Sequence, residues 1–460
     1  MPEPLLVVGG TIAALVAADA VAQQGREVDL LVPGGRVAGG FLPLLRDGRR
    51  LDLGPRIIEL GYDESPSASP PFSAYRPGPH GHRPFLAHID RLVRELAGAD
   101  LVPITAPQIQ RAGTRAHDFV LGGDLVDLPL LLTDEEVLAV IRETTEIVER
   151  LGPEGLLGDP GALASMDLAM ASQQTHGATF HDTVIAPLAA KVSGGGAAAV
   201  IAELRRKIWL PLLWPQSLLE AALGTLTYRP RRPMHTVLGG GMGALVERLL
   251  QRLDHSGAVT RHDVGAVRSL ERSGPQTTVT FEDGAFWRAA DVVLGVGADE
   301  TFRLAGEHGS ADRERGVFVW LDVARDDLGE VPSVLFVLDP DVPLFRVTEN
   351  TGERGGHHTT LVCEMATDVA QDEAGALATV ALEAVGLLGP GRGDTAEVVA
   401  VLAGPSFAAP SFANRERHGR GVAVLAAAPL PADVLGVEVF GADSFNEQVV
   451  QGMAAAERWS

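Results

Sequence analysis

Between Leu5 and Val32 the sequence reads as a strand, a glycine turn, a helix and a second strand. Leu5 to Gly9 is a short apolar run, Thr11 to Gln23 is Ala-rich with helical character, and Glu27 to Val32 is a second apolar run. A strand that passes through a tight glycine turn into a helix returns as a parallel neighbour, because the crossover must pack back onto the sheet. This opening commits the chain to the α/β class, with a doubly wound, Rossmann-like parallel sheet.

The chain has 460 residues, enough for more than one domain and a large core. Its net charge of -22 repels phosphate backbones, so nucleic acid is not expected as a partner. Cys363 is the only cysteine, which excludes an internal disulfide and a thiolate metal site. A reducing, cytoplasmic location suits that count. Met1 to Pro4 shows no basic leader, so no signal peptide is expected. No apolar run is long enough to suggest a transmembrane segment.

Further along, Asp47-Gly48 marks a hairpin turn between Phe41–Leu45 and Arg50–Leu53. Residues 65–84, rich in Ser, Pro, Gly and His, read as a long loop. Helical spacing covers Phe85–Ala97 and Thr133–Leu151, the latter with Asp134, Glu135 and Glu136 in its first turn. The stretch from Ala162 to Leu226 is mostly helical. Strands separated by Ser273-Gly274 and Asp283-Gly284 turns fill Val264–Asp291, and a buried strand follows to Val296. The region from Gly316 to Leu425 is mixed, with β-rich runs at Val317–Val323 and Thr360–Met365 and a helix near Glu373–Leu388, and Glu438–Trp459 closes the chain as strand, loop and helix.

Six segments in order carry a resemblance. They are Val7–Leu15, Arg36–Gly40, Leu51–Pro55, Leu238–Val246, Ala289–Leu294, and Phe440–Asp443 followed by Val449–Ala455. Together they resemble the FAD-dependent superfamily of amine oxidases, protoporphyrinogen oxidases, phytoene desaturases and UDP-galactopyranose mutases. The resemblance implies an FAD/NAD(P)-binding domain of glutathione-reductase type interleaved with an α+β substrate domain. The first would combine residues 1–60, 232–305 and 420–460. The second would take 61–231, a helical insert, and 306–419, a β-rich part.

The same resemblance implies cofactor contacts at Gly9, Gly10, Thr11, Ala14, Val32, Arg36, Gly39, Gly40, Gly54, Pro55, Val267, Asp443 and Val450. A pyrophosphate needs backbone N–H groups at a helix N-terminus with no Cβ in the way. Gly9 keeps the turn, and Ala14 is tolerated at the third fingerprint position. Thr11 replaces the second glycine and is expected to crowd the phosphates. Val32 stands where an acidic residue would bind a ribose hydroxyl. A hydrogen bond to a charged group contributes about 1.5–3 kcal/mol net. Removing roughly 4 kcal/mol from a nanomolar site leaves a micromolar one. FAD is therefore expected to be held weakly or not at all.

In the β-rich part, Asp341–Glu349 is similar to the substrate strand of the mutases, making Arg346 a candidate ligand for an anionic substrate and Glu349 its candidate partner. The alternative is a half-buried strand in which the two simply pair. Arg56 stands where mutases carry a histidine step and is a further substrate-side candidate. His80, His82 and His88 lack supporting carboxylates, so no metal site is expected. His176 and His181 suit core or surface roles better than a pocket. Ile208–Pro215 reads as a buried apolar pair of segments broken by proline. No catalytic residue is assigned.

The leading expectation is an FAD-dependent oxidoreductase acting on a small molecule of secondary metabolism. Two alternatives stay open: a flavin-free homologue that binds a ligand or partner or works without cofactor, and a redox-neutral flavoenzyme of mutase type. A homodimer or a partner protein is compatible with the sequence.

Overall fold

The computed structural model describes residues 3–60, 83–121, 123–227, 229, 234–307, 309–350, 356–427, 432–435 and 444–459, with the backbone alone at 83–88, 160, 426–427 and 432–434. Strands Leu5–Val8 (β1), Val28–Pro33 (β2), Val259–Val264 (β3) and Val292–Leu294 (β4) join the short strand Ala432–Val434 in one sheet. The order is β3-β2-β1-β4 and then Ala432–Val434, with every pairing parallel. β1 is buried at every position, as a central strand covered on both faces must be.

The strand order reverses between β1 and β4, and such a switch point is where parallel α/β sheets bind ligands, outside the carboxyl ends of the strands. Gly9 ends β1 at φ +136°, and a Cβ on it would lie 1.9 Å from the carbonyl oxygen of Gly295, just past β4. Only glycine allows the two strand ends to meet this closely. The helix Ile12–Gln23 (α1) follows and is buried along almost its whole length, which explains its apolar, Ala-rich sequence. It packs on the helix Phe445–Trp459, where a Cβ on Gly452 would lie 2.5 Å from the Ala13 carbonyl oxygen. A three-stranded antiparallel sheet covers the other face, setting Val267, Val279 and Phe281 against Leu6, Val8 and Leu31.

The second sheet has seven strands. Arg313–Ala324 (β5), Val334–Val337 (β6), Leu344–Glu349 (β7), His358–Met365 (β8) and Glu397–Ala408 (β9) run in the order β9-β5-β8-β7-β6, and Gln108–Arg111 and Thr114–His117 complete it. Its pairings are antiparallel except between β6 and Gln108–Arg111. The helical insert packs on this sheet, with Phe180, Leu188 and Leu213 in one cluster with Phe336 and Phe345. One of its helices, Ala186–Val192 (α2), ends against β6 and β7.

Several boundaries differ from the sequence reading. The hairpin is shorter, Leu44–Arg46 and Arg49–Leu51, because Gly39–Phe41 turns as 3-10 helix. Met234–Val237 is a strand, and the helix after its glycine turn runs Gly241–His255. The helix Phe412–Ala427 is an element the sequence reading does not name, its Ala- and Arg-rich sequence carrying no marked apolar stripe. Thr133 caps its helix with a reciprocal bond to Glu136. Residues 61–82 and Phe440–Asp443 lie outside the described residues. Among the described residues no helix is long and apolar enough to cross a membrane.

Candidate functional site

At the carboxyl edge of the parallel sheet, the loop after β2 folds over the first glycine turn. A Cβ on Gly10 would lie 2.0 Å from the carbonyl oxygen of Arg36, and the Ala38 amide donates to the Gly10 carbonyl at 2.6 Å. Ala38 and Gly39 both take left-handed conformations, φ 54° and 49°, while Gly40 does not. Thus Ala38, not Gly40, shares the strained turn with Gly39, at a cost that an L-residue ordinarily avoids. Arg36 is exposed, and its side chain makes no hydrogen bond or ion pair with other described residues.

Thr11 caps α1, and its hydroxyl accepts from the Ala14 amide at 3.3 Å. The same oxygen lies 3.0 Å from where a Gly295 Cβ would be. The hydroxyl therefore turns back onto the helix and uses a donor that a phosphate could otherwise have taken. Ala14 is fully buried beneath Gly295. Val32 is 1% exposed and packs in the apolar cluster under the helices. Val267 is buried, with its amide donating to Glu300, and Val450 lies half-buried on the closing helix. Asp443, His80 and His82 are outside the described residues, as is the His88 side chain.

The segment after the hairpin runs from this edge to the second sheet. Asn350 holds it from both sides: its Oδ1 accepts from the Asp52 amide at 3.0 Å and its Nδ2 donates to the Arg50 carbonyl at 2.9 Å. The indole of buried Trp320 donates to the Asp52 carbonyl at 2.8 Å. Gly54, at φ +76°, then passes beside β7 and β8, and a Cβ on it would lie 2.6 Å from Oε1 of Glu364. Pro55 leads directly to Arg56, whose Nη2 donates to the Gly40 carbonyl at 2.6 Å and whose Nε lies 3.8 Å from Asp52 Oδ1. Arg56 thereby ties the β2 loop to the segment approaching the second sheet. Its burial lowers its pKa, opposed by Asp52 and Glu364, but an Arg stays protonated.

Arg346 sits at the centre of the neighbouring group. Its Nε and Nη2 donate to Glu364 at 2.6 and 2.9 Å, across a directly paired position of β7 and β8. The expected pairing with Glu349 is not formed. Residues three apart on a strand point to opposite faces, and Glu349 instead accepts from Arg325 at 2.6 Å. The guanidinium of Arg346 lies 5.0 Å from the ring centre of Trp209 and 5.1 Å from that of Phe345. Trp209 is held at φ 62°, a strained conformation for a bulky residue and one that tends to mark functional positions. Within this group, Nη1 of Arg346 and Nε of Arg56 are buried donors without a hydrogen-bond partner among the described residues. Such donors are costly unless a ligand or water accepts from them.

The sequence reading missed Glu364 and Trp209. Glu364 carried no local signal, since only strand register brings it to Arg346. His176 is fully buried and accepts the Leu213 amide at Nε2, 2.8 Å, while Nδ1 meets Ser172 at 3.1 Å. It is thus a neutral core residue that pins the apolar segment carrying Trp209. Leu210, Leu212 and Leu213 are buried in the helical core, and Pro215 starts a helix. His181 is also buried, in a π-helical turn, with Nδ1 unpartnered. No group of His, Cys, Asp and Glu among the described residues is arranged to hold a metal ion.

The donor set suits part of a flavin dinucleotide. The Gly9 turn and the N-terminus of α1 can face a phosphate group, with the Arg36 backbone lying against Gly10. Buried, apolar Val32 offers a ribose hydroxyl nothing to bind. Residues 7–72 match the family model of an NAD(P)-binding Rossmann-like domain. No curated protein matches the sequence. Among solved structures, reduced UDP-galactopyranose mutase is similar with a TM-score of 0.71 at 14% identity, over 100% of this chain and 93% of that one. Putrescine oxidase bound to putrescine follows at 0.61 and 16%, over 100% of this chain and 99% of that one. An oxidoreductase from Methanosarcina mazei gives 0.59 and 14%, over 99% of this chain and 100% of that one. The chain therefore shares the fold of these solved structures and opens with a Rossmann-like NAD(P)-binding domain.

Proposed function

We propose that this protein is an FAD-dependent oxidoreductase acting on a small molecule, with its substrate site at the polar group formed by Asp52, Arg56, Arg346 and Glu364. The observation that carries the reading is that Arg56 and Arg346 each keep a buried N–H without a partner. These donors lie where the segment from the parallel sheet meets the second sheet, so one ligand could touch both. Residues 1–60, 232–305 and 420–460 would form the cofactor domain and the rest the substrate domain; the strands shared by β1 to β4 and Ala432–Val434 support that division.

Gly9, Gly10, the first-turn amides of α1, Arg36 and the Gly54-Pro55 segment would hold the cofactor. When bound, a flavin supplies the redox chemistry by accepting hydride from a substrate carbon. The chain's own part is orientation. Arg56 and Arg346 would present donors to substrate oxygens, and Trp209 and Phe345 would keep the Arg346 guanidinium in one plane. A small molecule of secondary metabolism fits this reading.

Two other readings each have a specific support. A redox-neutral, mutase-type reaction on an anionic substrate is favoured by the Arg346 donor. A flavin-free role is favoured by buried Val32 and by the Arg56 bridge to Gly40. The deciding experiment is to purify the protein without added flavin, record its visible spectrum, and titrate FAD by fluorescence quenching. Saturable FAD binding supports the first two readings, and binding of UDP in a parallel titration would favour the mutase type. No FAD binding up to millimolar concentration rejects both flavin readings.

A further inference from the structure

Lys191, at the end of α2, is 5% exposed, yet no carboxylate forms an ion pair with it among the described residues. Instead Nζ donates to three main-chain carbonyls, those of Val337 and Asp339 at 2.7 Å and of Leu344 at 3.0 Å. An ammonium has three donors in a tetrahedral array, so this arrangement uses all of them. Val337 ends β6, Asp339 lies in the turn, and Leu344 begins β7, so the one side chain clamps both stems of the hairpin that carries Arg346.

The hairpin is irregular at this point. Leu344 pairs with Met365 and Arg346 with Glu364, so two steps on β7 match one on β8. Such a bulge re-aims the side chains beside it. Leu344, the residue before the bulge, is the one whose carbonyl Lys191 takes. The charged groups packed around the clamp are already engaged. Asp339 accepts from the Ala112 amide at 2.8 Å, Glu314 accepts from Ser193 at 2.7 Å, and Arg315 donates to the Val369 carbonyl at 2.7 Å.

We propose that Lys191 is a positioning residue for the candidate site: by holding the carbonyls of Val337, Asp339 and Leu344 together it fixes the bulge that turns Arg346 towards Glu364 and Trp209. The proposal rests on Arg346 belonging to the substrate site. Its test needs neither flavin nor substrate, so the outcome of the FAD titration does not decide it.

The test compares the wild type with Lys191→Met and Lys191→Gln at pH 7 by pulsed hydrogen–deuterium exchange. The environment of Trp209 is read separately as the acrylamide quenching lost when each protein also carries Trp209→Phe. In Lys191→Met, amides at 338–346 should exchange about tenfold faster, equivalent to about 1.4 kcal/mol of lost protection. Amides in β5 should keep their rates, and the Trp209 component should become more quenchable. Lys191→Gln retains two donors and should fall between, and it carries the test if the Met variant does not fold. A lower melting temperature with unchanged exchange at 338–346 and unchanged Trp209 quenching would overturn the proposal and leave Lys191 a purely structural residue.

Discussion

Arg346 and Glu364 face each other across β7 and β8, joined by two parallel hydrogen bonds of 2.6 and 2.9 Å. Both side chains are largely buried, at 7% and 13% exposure. The pair holds the Arg346 plane and leaves Nη1 buried without a partner, open to an outside acceptor. A fork of this kind is geometrically specific as well as strong.

Removing one partner should be expensive. Glu364→Gln leaves a buried guanidinium without its counter-charge, a loss of about 3–5 kcal/mol for pairs of this type. Arg346→Met together with Glu364→Gln should recover part of that loss, because neither charge is then stranded. Urea unfolding of the single and double variants gives the coupling directly. Strictly additive effects would show that the two side chains do not depend on each other.

His176 makes an acid-sensitive contribution. Burial pushes its pKa down to about 3. The unfolded chain, with an ordinary imidazole near about 6.5, therefore holds more protons between those values. Stability should fall as pH drops from about 6.5 towards about 3. His176→Phe removes that limb, but strands the Leu213 amide at a cost of about 1–3 kcal/mol at neutral pH. Unfolding curves at pH 7 and pH 5 test both parts. If the variant keeps the wild-type slope, the acid limb belongs to other groups.

Lys191 acts in the opposite range. Burial lowers it to about 8, against the raising effect of Asp339. An unfolded lysine titrates near about 10.4, so the unfolded state binds more protons between about 8 and about 10.4. This group's contribution to stability therefore rises with pH through that window. The stability difference between wild type and Lys191→Met should be larger at pH 10 than at pH 7.5. A difference that stays constant removes Lys191 as the source.

The architecture was legible because its signals are local. Gly9, the Ala-rich α1 and the ordered glycine segments each mark a turn or a close approach that few other folds require. The candidate site was only half legible. Arg346 and Arg56 stood out by their places in sequence, but Glu349 was a mistaken partner that the period of two along a strand excludes. Glu364 depends on register across a bulge, which no pattern in the β8 sequence announces. Lys191 did leave a trace, being one of two lysines in an Arg-dominated chain. This position uses the tetrahedral ammonium that arginine cannot supply.

The last prediction concerns FAD. Thr11 turns its hydroxyl to the Ala14 amide, so the obstacle at the phosphate position is a spent donor more than a protruding side chain. Thr11→Gly frees that amide while costing the helix only a few tenths of a kcal/mol, since glycine caps nearly as well. FAD affinity should then rise about tenfold, the equivalent of about 1.4 kcal/mol. Val32→Glu is a different case. Val32 is 1% exposed among packed methyl groups, so a carboxylate there is penalised unless it swings out to the strand end. That variant should melt earlier than wild type without FAD and regain part of the loss when FAD is added, because ligand bound only to the folded state stabilises it. Arg36→Ala should weaken FAD binding with no effect on melting, as the exposed side chain makes no hydrogen bond or ion pair with other described residues. The wild type should hold FAD in the micromolar range. FAD isolated with the protein in stoichiometric, tightly bound form would mean that other residues supply the ribose and phosphate contacts, and that neither Thr11 nor Val32 limits the site.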